Sequence, residues 1–89
     1  MARYTLIVKT SVEKDLKKIP RELVPSILSG IENLADNPFP RDSVKLSGAE
    51  HFYRTRAGDY RIIYHVLPSV EEVTVYYVRH RSIAYRTFS

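Results

Sequence analysis

Residues 53–64 read YRTRAGDYRIIY, and this stretch decides how the rest of the chain is arranged. Gly58-Asp59 is a two-residue turn signal between runs rich in aromatic and β-branched residues, which predicts an antiparallel hairpin. Successive side chains on a strand point to opposite faces, so Arg54 and Arg56 share a face and Arg61 opens the returning strand. The turn therefore brings three guanidiniums toward one patch. Arginine is a costly choice on a half-buried strand, so the pattern points to a site rather than to a solvated surface.

Downstream of the hairpin, residues 73–81 predict one more strand after a break at Pro68-Ser69. The segments 52–57, 60–67 and 73–81 then form an antiparallel meander, and residues 82–89 are expected to hold no more than one helical turn. Upstream, residues 44–46 lead into a Ser47-Gly48 turn, and NPFPRDS at 37–43 is a proline-broken loop. Before that loop, Leu23, Ile27, Leu28, Ile31, Leu34 and Ala35 recur at helical spacing and predict a helix over 21–36. Pro25 fits only in its first turn, and Gly30 weakens its middle. A shorter helix opens at Thr10, where Glu13 completes a capping-box pattern, and stops at Pro20. Residues 3–9 alternate and supply the first strand.

The expected fold is thus a small single α+β domain over 1–89 with the order β-α-α-β-β-β. Its two N-terminal helices pack on one face of a twisted, mainly antiparallel four-stranded sheet. On strand parity Arg61 aligns with Ile63 and His65, while Arg79 and Arg81 align with Val75 and Tyr77. The expectation is a basic patch on the face away from the helices, which stays partly open.

Composition narrows the function classes. With 44% hydrophobic and 27% charged residues the chain is globular, and its apolar runs are too short for a signal peptide or membrane helix, so the cytoplasm is expected. The lack of cysteine excludes disulfides and thiolate zinc sites, and His51, His65 and His80 are too scattered for a metal motif; no cofactor is expected. The net charge is +4, but its distribution says more. All five lysines precede residue 46, whereas from residue 51 onward the basic residues are Arg54, Arg56, Arg61, Arg79, Arg81 and Arg86. Lysine suits a solvated helix face; arginine supplies the planar fork that grips a phosphate at two points.

Four segments carry a family resemblance: the first strand with SVEKDLKKIP, the junction NLADNPFP leading into VKLSG, the YRTRAGDYRIIY hairpin, and the closing VRHRSIAYR. Together they span nearly the whole chain, and in them it resembles the RelE/ParE superfamily of toxins from toxin-antitoxin modules. The RelE branch implies a ribosome-dependent endoribonuclease that cuts mRNA in the A site and is held by a RelB-like antitoxin, operator DNA being met only through the antitoxin complex. The ParE branch implies instead a gyrase inhibitor without nuclease activity, and a module that merely binds its antitoxin is a third reading. RNA-cleaving relatives use basic residues before the turn, an arginine after the turn tyrosine, an arginine ending the last strand and a tyrosine beyond it. Here Arg54 and Arg56, Arg61, Arg81 and Tyr85 fill those slots.

The chemistry this implies needs no metal. The ribose 2′-OH attacks the adjacent phosphorus, so a dianionic transition state must be stabilised and the leaving 5′-oxygen protonated. Arg61 and Arg81 are the expected clamp on the scissile phosphate, with Arg54 and Arg56 on neighbouring phosphates or assisting proton transfer. Tyr85 is the candidate to stack on a base or activate the 2′-OH, and His80 a lower-ranked candidate acid or base. Arg79 and Arg86 read equally as phosphate contacts or surface charges. Tyr60, Tyr64, Tyr76 and Tyr77 read first as strand packing, His65 as structural and Asp59 as a turn former.

Overall fold

The computed structural model describes residues 3–88, with side chains through Ala84. Its order is β1 (Thr5–Val8), α1 (Thr10–Leu16), α2 (Val24–Asp36), β2 (Val44–Lys45), β3 (Phe52–Ala57), β4 (Tyr60–Leu67), β5 (Glu72–His80) and α3 (Arg81–Phe88), with single 3-10 turns at Arg21–Leu23 and Pro68–Val70. The α+β class stands as expected, but the sheet has five strands rather than four, in the order β1-β5-β4-β3-β2. The fifth is β2, two residues that pair with Tyr53 and Arg54. β1 runs parallel to β5 and every other pairing is antiparallel.

The principal core lies between the sheet and the first two helices. Val12 and Ile19 together with Ile27, Ile31 and Leu34 of α2 bury against Ile62, Tyr64 and Val66 of β4 and Val73, Val75 and Val78 of β5. Each such side chain, fully removed from water, contributes about 1.5–3 kcal/mol. Pro25 sits in the first turn of α2, where its missing N–H costs nothing. At Gly30 an added Cβ would meet Ile62 Cδ1 at 3.3 Å, so glycine lets the helix approach β4 closely. On β4's helix-facing side the buried Tyr64 hydroxyl donates to the Pro38 carbonyl at 2.8 Å and ties the 37–43 loop to the sheet. Burial pushes the Tyr64 phenol up from its ordinary 10.0 to about 12.

The other face is not left open as expected. Residues 81–88 make two turns of helix rather than one, and Ala84 of α3 joins Leu46 and Ile63 in a second, smaller core edged by Ala49, Phe52 and Tyr77.

Two further local readings are corrected. Thr10 is inside α1 and Lys9 stands at the N-cap without a side-chain bond, so the capping-box pattern is not used. The polar side chains of α1 serve the sheet instead: β1 ends at Val8, opposite Val75, and beyond it Ser11 Oγ donates to the Tyr76 carbonyl while Asp15 Oδ2 accepts the Val78 N–H at 2.9 Å. A sheet edge buried under a helix needs such partners for its backbone groups.

The parity of β5 also breaks. Ile63 pairs with Tyr77 but Tyr64 pairs with Val75, leaving Tyr76 as the extra residue of a bulge. Val75 therefore enters the helix-side core while Tyr77 and Arg79 turn to the opposite face.

Candidate nucleic-acid interface

The bulge completes a row of arginines. Arg56 of β3, Arg61 of β4 and Arg79 of β5 are direct cross-strand neighbours, and Arg54, Ile63 and Tyr77 form the next row on the same face. Like charges so placed repel. The three guanidiniums accordingly take three directions.

Arg56 is exposed, with no ion pair among the described residues. Arg61 folds down onto its own turn and is only 3% exposed. Its Nη1 donates to the carbonyls of Gly58 at 3.1 Å and Tyr60 at 3.0 Å. Gly58 carries a φ of +62°, a backbone conformation that glycine adopts without strain. Arg79 leans sideways: its guanidinium carbon lies 4.7 Å from the centre of the Tyr77 ring and its Nε 3.4 Å from Asp15 Oδ2. Arg54 is half-buried and lines a hollow of about 60 Å³ with Arg56, Arg61, Asp42, Val44 and Thr55.

Arg81 comes to this end of the sheet through α3. Its backbone N–H donates to the Asp59 carbonyl at 2.8 Å, its Nε is 4.0 Å from the Asp59 carboxylate, and more than half of its side chain is exposed. The hairpin turn and the start of α3 are thereby joined. Arg54, Arg56, Arg61, Arg79 and Arg81 thus gather around one hairpin. The side chains of Tyr85 and Arg86, on α3, lie outside the described residues.

His80 goes elsewhere. It pairs with Tyr60, whose ring it meets edge-on at 5.4 Å, and borders a cleft of about 220 Å³ with Asp15, Lys18 and Arg79. Its Nδ1 accepts the Ser82 N–H at 3.3 Å and lies 3.0 Å from Ser82 Oγ, so the ring caps α3.

Sequence reasoning missed Asp15. It reads as one charge among many in SVEKDLKKIP, yet it is 7% exposed, holds Val78 and faces Arg79. The available signal was its spacing: Val12, Asp15, Leu16 and Ile19 lie on one helical stripe, and a carboxylate there must find donors inside the fold. Among the described residues no three His, Asp or Glu side chains cluster to hold a metal ion, and no helix is long and apolar enough to cross a membrane.

The fold is shared with known proteins. The family model described as ParE toxin of type II toxin-antitoxin system, parDE, matches residues 6–85. A curated RelE1 protein of Methanocaldococcus jannaschii is 30% identical over 87 residues, covering 94% of this chain and 97% of that one. Among solved structures, RelE in the archaeal RelE-RelB complex from Pyrococcus horikoshii superposes with a TM-score of 0.77 at 30% identity, covering 91% of this chain and 97% of that one. The RelBE2 toxin-antitoxin complex of Mycobacterium tuberculosis contains a chain matching with a TM-score of 0.75 at 26% identity, over 89% of this chain and 99% of that one. The fold, the hairpin and a family match across almost the full length agree: the chain belongs to the RelE/ParE superfamily of type II toxin-antitoxin toxins.

Proposed function

We propose that this toxin is a metal-independent endoribonuclease that cleaves mRNA in the ribosomal A site and is neutralised by a RelB-like antitoxin. The observation that carries the reading is the gathering of five arginines around one hairpin, with Arg56 and Arg81 exposed at its rim and Arg61 fixed beneath them. The solved relatives in complex with antitoxins support the antitoxin partner. Ribosomes, mRNA and a cytoplasmic site of action follow from the nuclease reading.

In this mechanism the 2′-OH gives up its proton and attacks phosphorus, the P–O5′ bond breaks, the leaving 5′-oxygen takes a proton from water, and the products are a 2′,3′-cyclic phosphate and a 5′-hydroxyl. Arg81 contacts the scissile phosphate from solvent. Arg61 adds a charge already oriented by the turn carbonyls, which needs no reorganisation as negative charge develops. Arg54 and Arg56 hold flanking phosphates, Arg79 and Arg86 extend the basic track, and Tyr85 stacks on a base or accepts the 2′-OH proton.

The ParE reading keeps one observation in its favour, the name of the matching family model. Two assays on purified protein separate them. The nuclease reading expects cut mRNA with cyclic-phosphate ends on translating ribosomes and unchanged gyrase supercoiling; the reverse pair of results would replace it with gyrase inhibition.

A further inference from the structure

We infer that His80 is a positioning residue that caps α3 as a neutral imidazole, and not the acid or base of the reaction. This rests on the nuclease reading for its activity test, while its structural half is tested independently. The ring lies on the Tyr60 and Val78 side of the sheet, opposite the row formed by Arg56, Arg61 and Arg79. A general acid must reach the leaving oxygen directly or through one water, and His80 lines a cleft that takes Arg79 from the arginine row but not Arg54, Arg56 or Arg61, which line the hollow on the other side.

What His80 does reach is the first turn of α3. A helix begins with N–H groups that have no partner inside the helix. In α3 the first, on Arg81, is taken by the Asp59 carbonyl, and the second, on Ser82, by His80 Nδ1. Accepting that bond requires a lone pair on Nδ1, so the proton of the neutral ring sits on Nε2. Protonation of Nδ1 removes the acceptor and sets a cation against the positive end of the helix. The charged and titratable groups around the ring are Tyr60 of β4, Asp15 and Lys18 of the α1 segment, Arg79 of β5 and the adjoining Arg81 of α3. The same turn carries Arg81, so the cap sets where that residue meets the site.

The test compares His80→Asn, which retains a side-chain acceptor, with His80→Ala, which does not. Amide hydrogen exchange is read at Ser82 and Ile83, and cleavage of mRNA on translating ribosomes is followed. In His80→Ala the Ser82 amide opens about fivefold more often, as expected for a lost N-cap, and cleavage slows. His80→Asn restores protection and cuts within about threefold of wild type, the margin left by an asparagine cap.

A His80→Asn protein that keeps the Ser82 amide protected yet cuts as poorly as His80→Ala would overturn the proposal and return His80 to acid-base chemistry. Unchanged Ser82 exchange in both variants would overturn the cap. A wild type that cuts no mRNA while the exchange pattern holds overturns the nuclease reading and leaves the cap standing.

Discussion

The two faces of β4 solve burial in opposite ways. Toward the helices it presents Ile62, Tyr64 and Val66, all at 1% exposure or less, and a single hydroxyl is matched by the Pro38 carbonyl. Toward the other side Arg61 is almost equally buried, and its Nη1 donates to the Gly58 and Tyr60 carbonyls of its own turn. A hydrophobic side chain of that size would meet the packing need without the desolvation of a guanidinium. The helix side therefore holds the fold together, and the arginine side holds a charge in place against a stability cost.

The sharpest way to break this comparison is to remove volume from the helix side. Ile62→Ala is expected to cost about 3 kcal/mol, in the range of buried Ile-to-Ala truncations, read as a lowered midpoint in urea unfolding. Cleavage per folded molecule should change little.

The next effect comes from alkaline titration. Tyr64 ionises at about 12 in the fold and at the ordinary 10.0 when unfolded. The raised value means its contribution is fully present below pH 10 and is lost between pH 10 and 12, because the unfolded chain ionises first. Two pKa units correspond to about 2–3 kcal/mol. Unfolding curves at pH 9 and pH 12 should display this loss in wild type, and Tyr64→Phe should lose less over the same interval.

The smallest expected stability change is at Arg61. Arg61→Met keeps the bulk and removes the charge, and is expected to alter stability by less than about 1 kcal/mol in either direction. Its cleavage rate should fall by about 100-fold or more, on the scale of losing one fixed transition-state donor. A large destabilisation with full activity would make Arg61 a structural brace alone.

How much of this was legible depends on the length of the pattern. The hairpin around Gly58-Asp59 and the helix through Ile27, Ile31 and Leu34 were readable because each repeats its period several times. β2 was not, since two residues have no period, and only pairing with Tyr53 and Arg54 makes Val44–Lys45 a strand. The bulge at Tyr76 was hidden for a related reason: one inserted residue leaves VTVYYVRHR looking like a regular strand while reversing the face of Arg79 relative to Val75. α3 was underestimated because its cap is a histidine and its other partner is the carbonyl of a distant turn. Parity gathered the arginines correctly on the hairpin but was silent on direction, so Arg61 was expected as an open clamp and is instead held under the turn. Thr10 with Glu13 matched a local signature that lost to a nonlocal need, the uncovered edge of β5.

The central claim is that the arginine end of the sheet acts on RNA, and Arg81 tests it with least disturbance to the fold, being exposed and tied to Asp59 mainly through its backbone. The decisive measurement is the single-turnover rate of mRNA cleavage on translating ribosomes by Arg81→Ala, alongside its unfolding midpoint. The expected result is a rate reduced by about 100-fold or more with an unchanged midpoint, whereas cleavage at the wild-type rate by the folded variant would contradict the account.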